Sequence, residues 1–221
     1  MAVLQTKEEM MVDLNLGDTR LIIGECSKQG VLRNQAAYIL ATAFWETART
    51  MKPVREYGGE KYLKSKRYYP HVGMGYVQLT WRENYQKASE KLGVDFVSDP
   101  RKLLIPEYAK TILVLGMIEG WFTGKSLSDY ITLQKSDFIN ARRIINGVDR
   151  KREIADIAKD YDQALIDIGY GVTSDGTNNI PPVYPKPKPP SVEVPPAPSP
   201  NPKPTFLSIL AAFIGRLFSR S

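Results

Sequence analysis

Twelve of the sixteen prolines in this 221-residue chain fall in one stretch, 181–204, reading PPVYPKPKPPSVEVPPAPSPNPKP. Proline lacks a backbone N–H and holds φ fixed, so this stretch forms neither helix nor sheet and extends as polyproline II. At that rise it makes a semi-rigid spacer of up to roughly 70 Å. A Gly/Asn/Ser/Thr-rich exit, GVTSDGTNNI at 171–180, precedes it, and TFLSILAAFIGRLFSRS at 205–221 follows. Three zones result: a folded domain over 1–170, a linker over 171–204 and a C-terminal segment over 205–221. In the last, Phe206, Leu207, Ile209, Leu210, Phe213, Ile214, Leu217 and Phe218 are apolar, and Ser208, Gly215 and Ser219, with Arg216 and Arg220 nearby, give a small or basic flank at helical spacing. It is too short and too broken to span a bilayer. It reads as a helix lying in a membrane interface or docking on a partner, the alternative being a tail folded back on its own domain.

Within 1–170 the periodicity is helical. Ala36, Ile39, Leu40, Ala43, Phe44, Thr47, Ala48 and Met51 recur at i, i+3, i+4, i+7 and predict an amphipathic helix over 34–51. Further helices are predicted over 19–29, from Thr80 as cap to Leu92, from Pro106 to about Trp121, and over 150–168 with Asp149 as cap. Shorter helices are predicted at 126–131 and 136–145. Between 53 and 79, Gly58-Gly59, Pro70 and Gly73-x-Gly75 interrupt the pattern and predict a loop-rich lobe with a β-hairpin. The expected fold is mainly α, with a helical lobe, a small loop/β lobe and a cleft between them.

The formal net charge of +6 and pI of about 9.2 suit an anionic partner. Residues 171–221 carry five Lys/Arg against two acids, leaving +3 for 1–170, and no long basic stripe points to nucleic acid. A single cysteine, Cys26, excludes an intramolecular disulfide framework, and a single histidine, His71, excludes a His-based metal cluster. Cys26 reads as a packed residue and His71 as a loop residue. The N-terminus, MAVLQTKEEMMVDLNL, lacks the layout of a secretory signal.

Three glutamates, Glu46, Glu56 and Glu60, stand within fifteen residues among aromatic rings. The helical wheel sets Glu46 at the border of the apolar stripe of its helix. A carboxyl partly desolvated by apolar neighbours tends to keep its proton, as a general acid requires. Glu56 lies past Pro53 in the irregular lobe, where a solvated carboxylate stays ionised. Two carboxyls in unlike surroundings suit acid/base cleavage of a glycosidic bond. The alternative is an exposed Glu46 paired with Arg49 or Arg55. Trp45, Tyr57, Tyr62, Tyr68, Tyr69, Tyr76, Trp81 and Tyr85 offer stacking faces, and Gln78, Thr80 and Asn84 offer polar contacts, as a carbohydrate cleft would use.

Ordered motifs add to this reading. Trp45-Glu46-Thr47, then Glu56, then Gly73-Met74-Gly75-Tyr76-Val77-Gln78-Leu79-Thr80, Asn84-Tyr85 and Ile144-Ile145-Asn146-Gly147 resemble the motif series of glycoside hydrolase family 19, in its bacteriophage endolysin branch related to plant-type chitinases. The resemblance covers about 20–168. It implies a lysozyme-like α+β fold, with Glu46 as general acid, Glu56 as the base that activates water, and inversion at the anomeric carbon. It further implies that Thr80 holds that water, and that Gln78, Asn84, Tyr85, Asn146, Trp45 and Tyr57 contact the sugar. Neither metal nor organic cofactor is implied. Trp45 stands where the family has His, and Met74 where it has Arg between the glycines. Glu60, after the Gly-Gly turn, is an alternative base.

The function so implied is hydrolysis of β-1,4 bonds in peptidoglycan by a phage lytic enzyme, monomeric in its catalytic domain, with membrane or virion contact through 205–221 and no nucleic-acid partner. Chitin is a close chemical alternative substrate. The expected setting is either the virion or the host cytoplasm with later delivery to the wall. A non-catalytic wall-binding or virion structural protein that keeps the fold is the rival expectation.

Overall fold

The computed structural model describes residues 12–171. All but the first residue of the expected linker, and the whole 205–221 segment, lie outside the described residues. The described chain is mainly α-helical and carries one two-stranded antiparallel sheet. It divides into two compact units, residues 12–42 with 114–171, and residues 43–113.

The first unit contains α1 (Thr19–Lys28), most of α2 (Arg33–Glu46), the end of α5 (Pro106–Ile118) and α6 (Lys151–Asp167). The side chain of Gln35 accepts the Leu32 N–H at 3.3 Å, half of a capping box at the start of α2. Arg33 on α2 pairs with Asp162 on α6 at 2.9 Å. Asn34 donates to the Thr132 carbonyl and to Ser136 Oγ, and Gln35 donates to the Ile131 carbonyl, so α2 anchors the 131–136 turn. The helices predicted at 126–131 and 136–145 are only short 3-10 turns, Leu127–Asp129 and Asn140–Ile144. Cys26 is fully buried on α1. Asp149 does not cap α6; the residue before the helix is Arg150, in the left-handed region at φ 56°.

The second unit holds the C-terminal end of α2, β1 (Val54–Arg55), α3 (Glu60–Lys64), β2 (Met74–Gly75), α4 (Arg82–Leu92), a 3-10 turn at Pro100–Leu104 and most of α5. β1 pairs with β2 in the register Val54 with Gly75 and Arg55 with Met74, so the predicted hairpin lobe is present as a minimal ribbon. α3 was not legible in the interrupted pattern. β2 lies hard against the Pro100–Leu104 turn: a Cβ on Gly75, at φ 86°, would stand 3.3 Å from the Leu103 carbonyl oxygen. Tyr85, Phe96, Leu63 and Met51 are wholly buried in this unit.

Two expectations about helix ends are corrected. α2 stops at Glu46 rather than 51. The Arg49 N–H donates to the Phe44 carbonyl at 2.7 Å and the Ala48 N–H to the Trp45 carbonyl at 3.2 Å, with Ala48 at φ 51°. That is a Schellman termination with alanine in the position glycine usually takes. Thr80 does not cap α4, because its hydroxyl donates to the Gln78 carbonyl at 2.8 Å; Trp81, at φ 78°, precedes the helix. The predicted apolar stripe is not what sets Glu46 at the surface. Every residue from Ala36 to Phe44 is buried, so α2 has no polar face and Glu46 reaches solvent because the helix ends there.

Candidate active site

The predicted acid and base stand on the same unit. Glu46 is the last residue of α2 and is half-buried. Glu56 directly follows β1 and is also half-buried. Its backbone N–H donates to the Gly73 carbonyl at 2.6 Å. Both of its carboxylate oxygens are engaged: Tyr68 Oη donates to Oε1 at 2.8 Å, and the Gly73 N–H donates to Oε2 at 3.0 Å. The strand pairing thus fixes the backbone of Glu56, and two donors from the returning chain fix its head. Burial, and then the hydrogen bond and charge of Glu56, push the Tyr68 phenol up to about 12, so it remains a donor through the neutral range.

The loop that closes on Glu56 is held by main-chain contacts. Gln78, at φ 54°, donates from Nε2 to the Val54 carbonyl at 2.9 Å and to the Gly75 carbonyl at 3.4 Å. The Trp81 N–H donates to the His71 carbonyl, and the His71 N–H to the Tyr68 carbonyl. Asn84 donates to the Thr80 carbonyl at 2.8 Å, tying α4 to the same turn. Tyr85 is fully buried, and its hydroxyl donates to the Val72 carbonyl. Its ring meets His71 edge-on at 5.0 Å. His71 is therefore a packed residue, buried with Nε2 3.3 Å from the Val97 carbonyl oxygen.

Two sugar-contact expectations change accordingly. Tyr85 supports the 72–81 loop from beneath and presents no surface to a ligand. The amide nitrogen of Gln78 is committed to backbone carbonyls, so its part is to shape the hairpin. Asn84 and Thr80 remain half-buried, and Trp45 likewise. Tyr57 is 37% exposed, and burial of the rest of its ring pushes its phenol up. Asn146 belongs to the first unit, is exposed, and accepts the Gly147 N–H on Oδ1 at 2.8 Å. Glu60 is engaged by Arg55 at 2.8 Å and begins α3.

Two features escaped sequence reasoning. Among the described residues, the exposed large aromatics, Tyr57, Tyr62, Tyr69 and Trp81, all lie in the second unit, whereas the exposed large aliphatics all lie in the first. Trp81 meets Tyr68 edge-on at 5.3 Å, so an exposed ring adjoins the residue that grips Glu56. Among the described residues, five of the six non-glycine residues with positive φ, Ala48, Arg49, Met51, Gln78 and Trp81, also fall in this unit, just after Glu46 and just before α4. Such conformations cost of order 1–3 kcal/mol each and gather at functional sites. Among the described residues no cluster of three or more His, Cys, Asp or Glu is placed to hold a metal ion, and no helix is long and apolar enough to cross a membrane. No protein-family model, characterised protein or solved structure matches the chain.

Proposed function

We propose that the protein is a phage lytic enzyme that hydrolyses the β-1,4 bonds of peptidoglycan by inverting general acid/base catalysis, and that its lysozyme-like kinship is part of the same proposal. The observation that carries this reading is the double grip on Glu56. A carboxylate held by one hydroxyl and one amide, beside partly exposed aromatic rings, is a group whose direction is set in advance. In this scheme Glu46 protonates the leaving oxygen, Glu56 takes a proton from the attacking water, and Thr80 helps hold that water. Asn84, Trp45 and Tyr57 line the sugar path. The engagement of Glu60 by Arg55 favours Glu56 as the base. No cofactor enters the scheme. Delivery to the wall runs through a host pore at lysis or through carriage in the virion, with 205–221 as the tether.

The burial of Met74 and the engagement of Gln78 favour a second reading, a wall-binding protein without catalysis. One experiment separates them. Purified peptidoglycan is digested with the wild-type chain, Glu46→Gln and Glu56→Gln, and the products are analysed by mass spectrometry with the anomer formed. Proton transfer by a positioned side chain is worth about 10²–10⁴-fold, so each variant should lose at least a hundredfold. Equal product from Glu46→Gln and wild type would end the catalytic reading.

A further inference from the structure

The positive charge of the described chain is concentrated in one segment. Residues 49–67 hold seven Lys/Arg against two acids, a net +5, compared with +6 for the entire chain. Four of these cations sit on α3 and the turn after it: Lys61, Lys64, Lys66 and Arg67. Lys61, Lys64 and Arg67 are exposed, and the Lys66 ammonium rests 3.9 Å from the centroid of the Tyr62 ring. None of the four has an acidic partner among the described residues, whereas neighbouring Arg55 is paired with Glu60. Like charges three residues apart on a helix oppose its formation, so folding by itself gains nothing from this arrangement.

Its position gives it a use. The segment leaves the sheet at Glu56 and returns to the same carboxylate through Tyr68 and Gly73. A five-residue helix is only about 7.5 Å long, so the cations ride on a short excursion with both ends anchored at Glu56. Three exposed rings, Tyr57, Tyr62 and Tyr69, lie on it as well. Leu63 and Val72, its aliphatic residues, are wholly buried, which leaves no apolar face to enter a bilayer. Four cations within seven residues form a compact cluster, short of the extended track that a nucleic-acid backbone fills.

We propose that the α3 segment is the recognition surface for carboxylates on the wall glycan, those of its peptide stems, with Tyr62 and Tyr69 against the sugar faces. This rests on the reading of Glu56 as part of a glycan-cutting site. It makes α3 the feature that separates carboxylated peptidoglycan from neutral chitin.

The test measures retention on purified sacculi by full-length chain carrying Glu46→Gln, so that binding is read without digestion. Native sacculi are compared with sacculi whose carboxylates have been amidated with methylamine and carbodiimide. The same background then receives K61Q/K64Q/K66Q/R67Q. Four modest surface ion pairs together predict retention roughly tenfold weaker for that variant. Amidation should weaken the parent by a similar factor and change the variant little. Equal retention of parent and variant on native sacculi overturns the proposal, as does a parent indifferent to amidation. So does tighter binding of duplex DNA or phosphatidylglycerol vesicles that depends on the same four residues. If thermal melting shows the fourfold variant unfolded, the pairs K61Q/K64Q and K66Q/R67Q carry the same comparison. Charge-dependent retention together with no product from wild type would defeat the catalytic reading and leave this one standing.

Discussion

Tyr68 donates its hydroxyl to Glu56 Oε1 at 2.8 Å across twelve residues of chain. Hydrogen bonds to charged groups contribute about 1.5–3 kcal/mol, and partial exposure of this pair places it at the low end. Tyr68→Phe is expected to lower stability by about 1–2 kcal/mol and, on the proposed function, to slow wall cleavage roughly tenfold through kcat. Thermal melting and initial rates of turbidity loss check this. A variant with wild-type rates would mean that the Gly73 N–H orients the carboxylate without help.

Gly73→Ala should act through a different contact on the same carboxylate. An added Cβ would meet Gln78 Oε1 at 2.9 Å and its Cβ at 3.3 Å. Gln78 is pinned to the Val54 carbonyl, so it cannot swing away without loosening the hairpin. Overpacking of this kind costs about 1–3 kcal/mol. Combining it with Gln78→Ala should recover part of that loss, a non-additivity that denaturant titration of the single and double variants would detect.

Ala48→Gly is expected to stabilise the protein. A left-handed conformation costs a residue with a Cβ about 1–2 kcal/mol, while glycine adds about 0.4–1 kcal/mol of unfolded-state entropy. The difference leaves a net gain of about 0.5–1 kcal/mol from Ala48 at φ 51°. A melting temperature below wild type would show that the alanine methyl makes packing contacts worth more than the strain it carries.

Trp81→Gly and Trp81→Ala should differ in stability and, on the proposed function, share a defect in wall binding. Both remove the ring beside Tyr68. Only glycine adopts φ 78°, ψ 141° without strain, so Trp81→Gly should be the more stable of the two by about 1 kcal/mol. Equal melting temperatures would refute the claim that backbone strain is stored at this position.

Alkali should unfold the chain in a predictable window. Burial raises the phenols of Tyr85, Tyr161 and Tyr170, and Tyr68 is pushed up to about 12. An unfolded phenol ionises near 10, so above that pH the unfolded chain releases protons that the folded chain keeps. Stability is therefore intact below about pH 10 and falls as pH rises past it. Circular dichroism and phenolate absorbance should show exposed tyrosines titrating first, with the buried ones appearing only as the helices melt.

The sequence alone located helices around 19–29, 34–51, 80–92, 106–121 and 150–168, because apolar spacing and helix-start residues are local signals, but it located neither the end of α2 nor α3. It also marked the irregular lobe, since Gly58-Gly59, Pro70 and Gly73-x-Gly75 forbid a long regular element, and it set Glu46 and Glu56 within ten residues of each other. Tertiary structure decided what those residues do. Whether Gln78 and Tyr85 face a ligand or hold a loop depends on carbonyls at Val54 and Val72, which no local pattern announces. The end of α2 at Glu46 depends on two hydrogen bonds that follow from an alanine accepting a glycine's conformation. The grip of Tyr68 and Gly73 on Glu56 joins positions 12 and 17 residues away, which only chain closure can bring within 3 Å. Periodicity is a property of neighbours along the chain, whereas a held carboxylate is a property of the chain's return.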